Sequence, residues 1–303
     1  MTTRTWAGFC QMGYTFRDKL TLTGGLRYDR DEKEMDYTHT GFAQYQTSEA
    51  WEAWSPKLSL DYRINPTFMT YVSVSKGFKA GGFAPVYMDS AEQAEFDPEY
   101  VWSYEAGLKS EWLKKRLILN ASVFYNKARD LQVLRVEPST SRMDYRNAAR
   151  ATLQGAELEI LARPLDGFSI TASLGLLDAE FDDNVNTETG EDYTGNTVPL
   201  APRYTASLVA QYRSTLGVYL RGDVSWTGDT YYDEANTHKQ AAYTLVNGRI
   251  GYEWENFDIC FFVNNLFDKT YWTYLFSDAM DPTREAGAVG IPRTLGIMAT
   301  IRF

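Results

Sequence analysis

Two histidines, His39 and His238, are the only imidazoles in 303 residues, and they bound the acid–base chemistry on offer. His238 stands near Asp233 and Glu234, the one place where imidazole and carboxylates fall together as a general acid–base pair would need. No GxSxG elbow, HExxH zinc motif or phosphate-binding glycine loop accompanies them. Cys10 and Cys260 are the only cysteines; they form no CxxC motif, and their separation leaves their pairing open. Asp182, Asn184 and Asn186 follow calcium-loop spacing for three positions. Thr187 then stands where glycine is needed, and Tyr193 where the closing glutamate is needed. No catalytic residue, resident metal or cofactor is expected.

Aromatic side chains are the richer resource, at 15% of the sequence with 21 Tyr and 8 Trp. Tyr87, Tyr231, Tyr232, Trp272 and Tyr274 fall at strand ends or in long connections, where rings can stack on a small bulky ligand. The competing reading is a girdle that anchors the protein at a membrane surface. The net charge of −10 argues against nucleic acid as a partner.

These residues need elements to position them, and the pattern is a period of two. In Ile291 to Phe303 the apolar set Leu295, Ile297, Ala299, Ile301 and Phe303 alternates with Gly296, Met298, Thr300 and Arg302. About thirteen such segments can be marked. They run Trp6–Phe16, Lys19–Asp31, Pro56–Tyr62, Phe68–Lys76, Tyr100–Trp112, Leu117–Val136 and Ala151–Arg163. Then come Phe168–Phe181, Tyr204–Arg213, Val218–Thr227, Tyr243–Trp254, Phe257 to about Tyr274, and the closing strand. Polar loops are expected up to about Glu49, over Ala80–Pro98, near Pro138, over Asp182–Pro202, up to Ala241 and up to Pro292.

Mean hydropathy is −0.40 and the longest apolar run, Ile259–Val263, is far short of a transmembrane helix. A barrel strand, however, shows lipid only every second residue and averages to neutral. Counted back from Phe303, six short turns fall at one end of the strands and six long loops at the other, as in transmembrane barrels. Arg27, Asp29, Lys57, Asp61, Glu105, Lys109, Glu157, Glu159, Arg221, Asp223 and Arg249 belong to the opposite face from the apolar set, which makes the lumen polar. The expected fold is all-β, an antiparallel transmembrane β-barrel with short periplasmic turns and long extracellular loops. A soluble β-protein such as a propeller, or a passive porin-like channel, are the alternatives.

Several stretches resemble the TonB-dependent outer-membrane receptors: Gly77–Phe83 (GFKAGGF), Phe96–Trp112 (FDPEYVWSYEAGLKSEW), Asn147–Ile160 (NAARATLQGAELEI), Asn264–Tyr271 (NNLFDKTY) and the closing IPRTLGIMATIRF. Their order and spacing extend over essentially the whole chain. The resemblance implies a plugged barrel of about 22 strands, of which residues 1–303 supply the C-terminal part. The family's export signal, TonB box and plug have no counterpart here, since MTTRTWAGFC already reads as strand. Also implied are a Gram-negative outer-membrane location, surrounding membrane lipids and a ligand such as a ferric siderophore. TonB would engage through the missing N-terminal part. The barrel-assembly machinery would engage through the closing strand, with Phe303 as its signal.

Overall fold

The computed structural model describes residues 1–39, 43–83, 95–137, 142–187, 189–277 and 284–303. Among them the regular elements are all strands. The first are β1 (Thr2–Phe16), β2 (Leu20–His39), β3 (Ala43–Asn65), β4 (Phe68–Lys79), β5 (Gly82–Phe83) and β6 (Glu95–Phe96). Next come β7 (Glu99–Trp112), β8 (Leu117–Glu137), β9 (Arg142–Leu165), β10 (Phe168–Asn184), β11 (Tyr204–Arg213) and β12 (Val218–Thr227). The last are β13 (Thr230–Tyr231), β14 (Lys239–Gln240), β15 (Tyr243–Trp254), β16 (Phe257–Asn264), β17 (Trp272–Ser277), β18 (Glu285–Val289) and β19 (Thr294–Ile301).

Thirteen strands form one antiparallel sheet in the order β1-β2-β3-β4-β7-β8-β9-β10-β11-β12-β15-β16-β19. The other six pair as ribbons β5·β6, β13·β14 and β17·β18, each inside a long connection. Local chemistry sets the short turns. Arg17 and Asp18 take φ of 50° and 55°, and Lys114 and Lys115 take 56° and 68°. Positive φ at both central residues is the type I′ hairpin turn, whose twist suits the flanking strands. Between β3 and β4, Thr67 N–H donates to Asn65 Oδ1 at 2.9 Å, an Asx turn.

Directly paired residues share a face, so the register assigns every side chain. The charges from Arg27 to Arg249 named above all fall on one face. The other face carries Leu22, Leu60, Val72, Leu108, Val123, Leu158, Leu174, Leu208, Leu220, Ile250, Ile259 and Ile297. An apolar surface this continuous, with Val123 and Ile297 exposed, suits lipid and not water. On β2 the first outward charge after Leu20 is Arg30. That stretch rises about 33 Å, or about 25 Å along the axis of a barrel tilted by about 40°. Aromatics frame the belt. Tyr28 lies 5.4 Å from Trp6 and 4.8 Å from Trp54 between ring centroids at the outer end. Phe16, Tyr62, Tyr212, Tyr252 and Trp254 lie at the inner end of the same face.

The outer halves differ from the sequence reading. β2 and β3 stay paired up to His39↔Ala43, so the polar stretch to Glu49 is a protruding ribbon and not a loop. Its lumenal side buries Met35 and Trp51 against Phe83, which holds the strands together beyond the lipid belt. β9 likewise starts at Arg142 and not at Ala151. The strand expected from Phe257 to Tyr274 stops at Asn264, because Asn265 turns the chain at φ 50°. Cys10 is exposed on the lipid face and Cys260 buried on the lumenal face, and both are free thiols.

Candidate outer-loop ligand site

The connections leaving β12 and β16 meet at the outer rim. Tyr232 Oη donates to the Trp272 carbonyl at 2.7 Å, and its ring stands edge-on to Tyr274 at 6.1 Å. Trp272 N–H donates in turn to Gln240 Oε1 at 2.7 Å. Tyr243, on the lumenal side of β15, stacks on Tyr271 at 4.6 Å and 17°. Burial, and then the neighbouring Tyr243, push the Tyr232 phenol above its ordinary range. Tyr231 lies under Lys239, whose ammonium is 5.5 Å from the ring centroid. The same ammonium bonds Asp229 at 2.6 Å and holds that carboxyl below the usual range. So Tyr232 and Tyr274 meet ring to ring, Trp272 is tied to them through its backbone, Tyr231 stands beside them, and Tyr87 lies outside the described residues.

The connection after β10 joins the same body. Thr197 N–H donates to Asn236 Oδ1 at 2.8 Å, and Asn236 Nδ2 returns a bond to the Thr197 carbonyl at 2.9 Å. Asn184 Nδ2 donates to Glu234 Oε1 at 2.6 Å, and Leu200 N–H to the Tyr231 carbonyl at 2.8 Å. Three long connections are thereby tied together over the lumenal side of the wall. Partly exposed rings set among amide and carboxylate groups can stack on a flat ligand and fix its polar edge.

The catalytic and calcium alternatives find no matching geometry. Asp233 accepts the backbone N–H groups of Thr237 and His238, at 3.1 and 2.7 Å. His238 Nδ1 faces Glu285 at 3.2 Å, a carboxylate from a different connection. The His39 side chain lies outside the described set, its backbone ending β2. Asp182 accepts from Thr152 at 2.8 Å and faces Lys127 at 3.6 Å, while Asn184 is bonded to Glu234. Among the described residues no cluster of metal-ligating side chains occurs.

Reading the sequence for chemistry missed the polar joints that hold the rim. Gln132 Nε2 donates to the carbonyls of Ala80 and Asp97, both at 3.0 Å. Asn147 exchanges bonds with the Asp97 backbone, donating at 2.7 Å and accepting at 2.6 Å. Three of the motif stretches therefore converge on one knot. Gly81 is needed there because an added Cβ would lie 2.5 Å from Trp51. Asn265, buried, accepts from Lys269 N–H at 2.8 Å and donates to the carbonyls of Lys269 and Ile291 at 2.9 and 3.2 Å. Asp268 receives Arg293 N–H at 2.8 Å, just before β19. The motifs were visible as strings; their work as joints was not.

A family model described as TonB dependent receptor-like, beta-barrel, matches residues 1–266. The chain belongs to this family. The pesticin receptor of Yersinia pestis is 27% identical over 310 residues, covering 100% of this chain and 44% of the relative. The metal-pseudopaline receptor CntO of Pseudomonas aeruginosa is 26% identical, covering 95% and 39%. Among solved structures, the ferric yersiniabactin uptake receptor FyuA from Yersinia pestis superposes with a TM-score of 0.83 at 26% identity. That match covers 99% of this chain and 46% of FyuA. The chain thus spans less than half the length of these relatives. TonB-dependent receptors are transport receptors of the Gram-negative outer membrane and not enzymes, which places the apolar face in that membrane and the long connections outside the cell.

Proposed function

We propose that residues 1–303 are the C-terminal wall and outer loops of a larger receptor barrel that takes up a scarce, bulky nutrient, most directly a ferric siderophore, on energy relayed through TonB. The Tyr232–Tyr274 ring pair, with Trp272 tied to it through its backbone and three interlocked connections around it, carries this reading. Relatives named for pseudopaline, ferrioxamine and ferrichrome support the ligand class. Contact with TonB falls to parts of the receptor outside this chain. The family membership favours an energised receptor over a passive channel.

Uptake of a panel of radio-iron-labelled siderophores, of hydroxamate, catecholate and thiazoline classes, tests this in cells carrying the complete receptor. One class is expected to be taken up, and the uptake disappears when TonB is deleted; uptake that persists would indicate a passive channel. Replacing Tyr232, Trp272 and Tyr274 together by alanine is expected to weaken binding of that siderophore roughly 10- to 2,000-fold, at about 0.5–1.5 kcal/mol per ring. Alanines at the lipid-facing Trp6, Tyr28 and Trp54 should lower receptor abundance and leave binding per copy unchanged. Equal binding losses in both sets would remove the aromatic site.

Phe303 is read as the signal for barrel assembly. Arg302 N–H extends the ladder to the Asn256 carbonyl at 2.8 Å, whereas the Phe303 ring is fully exposed. The ring packs against no other described part of this chain, so its deletion removes no internal contact and should leave stability close to that of the parent. Deleting Phe303 from the complete receptor is expected to cut outer-membrane abundance severalfold while uptake per inserted copy stays the same. Normal abundance with lost uptake would assign the ring to transport instead.

A further inference from the structure

The lumenal face of the inner wall carries a line of arginines that the outer site does not use. Arg163 N–H donates to the Arg116 carbonyl at 2.7 Å, so the two residues stand side by side at the inner ends of β8 and β9. Ser169 lies opposite the bulge that holds Arg163, and register then runs Ser169↔Gln211↔Arg221↔Arg249. Neighbouring strands thus present Arg, Arg, Ser, Gln, Arg and Arg along one hydrogen-bonded row. In a tilted barrel such a row climbs. It starts at the inner turn with Arg116 and reaches Arg249 five residues before the end of β15 at Trp254, about 13 Å up the wall at a tilt of about 40°.

Acids are too few to neutralise this row. Asp166 meets Arg116 at 2.8 Å and Asp223 meets Arg221 at 2.6 Å, while Glu253 is shared by Arg213 and Arg302. Asp258 accepts from Tyr219 at 3.3 Å, and Glu159, two lumenal positions above Arg163, accepts from Asn120 at 3.4 Å. Arg163 and Arg249 are exposed and have no ion pair among the described residues. Arg249 also stands directly opposite Arg221, a like-charge pairing that costs stability unless an anion joins it. The rings beside it are pressed to the wall: Tyr219 lies flat on Gly251 and Phe262 on Gly296, too close for a side chain on either glycine. At the foot of the row a hollow of about 380 Å³ is lined by Arg116, Arg163, Ser169, Gln211 and Arg213. That is room for a small organic anion.

We propose that this row is a relay for carboxylate groups of the transported chelate between the outer site and the inner mouth, and that the nutrient is therefore an anionic, carboxylate-bearing ferric siderophore. The inference rests on the transport reading above and adds to it the charge of the cargo and a path along the wall. A guanidinium fork matches a carboxylate with two parallel hydrogen bonds, and Ser169 and Gln211 bridge the two arginine pairs with neutral donors. A strand spacing of about 4.8 Å lets a carboxylate pass from one donor to the next without leaving the wall. Asp166 and Asp223 compete for Arg116 and Arg221, which keeps each stop weak enough to release its anion, as passage through successive sites requires.

Two measurements on the complete receptor test the relay. In crystals soaked with selenate, the selenium anomalous signal is expected beside Arg249 and in the hollow at Arg163. Carboxylates from the rest of the receptor seated on both arginines, or no anion at either, would overturn the proposal. The second measurement compares capture with passage. In the variant Arg163→Gln, Arg249→Gln the Kd for the siderophore that the uptake panel identifies should stay within about twofold, while uptake per inserted copy falls roughly tenfold. The control Arg17→Gln, Lys114→Gln, which removes the same charge from inner turns off the row, should change neither. Matching uptake in the two variants would overturn the relay, and so would a transported siderophore without an anionic group. The selenate signal needs no siderophore, so it separates failure of the relay from failure of the transport reading.

Discussion

Refolded by itself into lipid bilayers, the 303-residue chain is expected to give no steady single-channel conductance and no heat-modifiable band on gels. The sheet ends at β1 on one side and β19 on the other, and the described residues pair neither outer edge. β1 offers 15 residues along its free edge and β19 offers 8. About half of their backbone N–H and C=O groups point outward, and each unsatisfied group in hydrocarbon costs several kcal/mol. Even partial exposure to lipid sums to tens of kcal/mol, against the roughly 5–15 kcal/mol that separates folded from unfolded in an ordinary domain. Joining the two edges would remove the cost but would force a smaller barrel with a different tilt and shear. A steady, heat-sensitive channel from the purified chain would show that it closes alone, and the proposal of a larger barrel would fall.

The inner half of this wall is legible in the sequence because two constraints act there at once. Lipid demands an apolar residue at every second position, and the hairpin ends demand residues that accept tight turns. Leu20, Leu22, Leu26 and Tyr28 against Thr21, Thr23, Arg27 and Asp29 answer the first demand, and the register confirms both faces. Arg17-Asp18 and Lys114-Lys115 answer the second in a less obvious way, as non-glycine residues at positive φ. The six short turns lie where the alternation places them.

Outside the membrane the lipid constraint vanishes, and legibility goes with it. The Asp31–His39 half of β2 has polar residues on its outward face, so composition suggests a loop. Strand pairing survives because Met35 and Trp51 face inward onto Phe83, a contact between segments about 30 to 50 positions apart. The proposed aromatic site was half visible for a related reason. Tyr232, Trp272 and Tyr274 are recognisable as loop aromatics, but what gathers them is side-chain bonds from Tyr232 and Gln240 to the Trp272 backbone, between separate connections. Amide joints such as Gln132 and Asn147 carry no periodic signal, since their partners are main-chain carbonyls set by the fold.

Arginine at Val72 in the complete receptor is expected to cost about 2–4 kcal/mol, while arginine at the next residue, Ser73, costs under about 1 kcal/mol. Val72 faces outward between Leu60 and Ala106, and it lies midway along β4 between Phe68 at the inner turn and Lys76 at the outer rim. A guanidinium there sits near the middle of the hydrocarbon layer, too far from either headgroup region for its four-bond stem to reach water without deforming the bilayer. Ser73 faces the lumen between Ser59 and Glu105, where water and a carboxylate are available. The two positions share strand, depth and the new side chain, so the difference isolates the face. Unfolding in denaturant of the reconstituted variants measures it, and outer-membrane abundance should follow, with Val72→Arg severalfold below Ser73→Arg. Equal costs would mean that this face does not meet lipid, and a larger cost at Ser73 would turn the wall inside out.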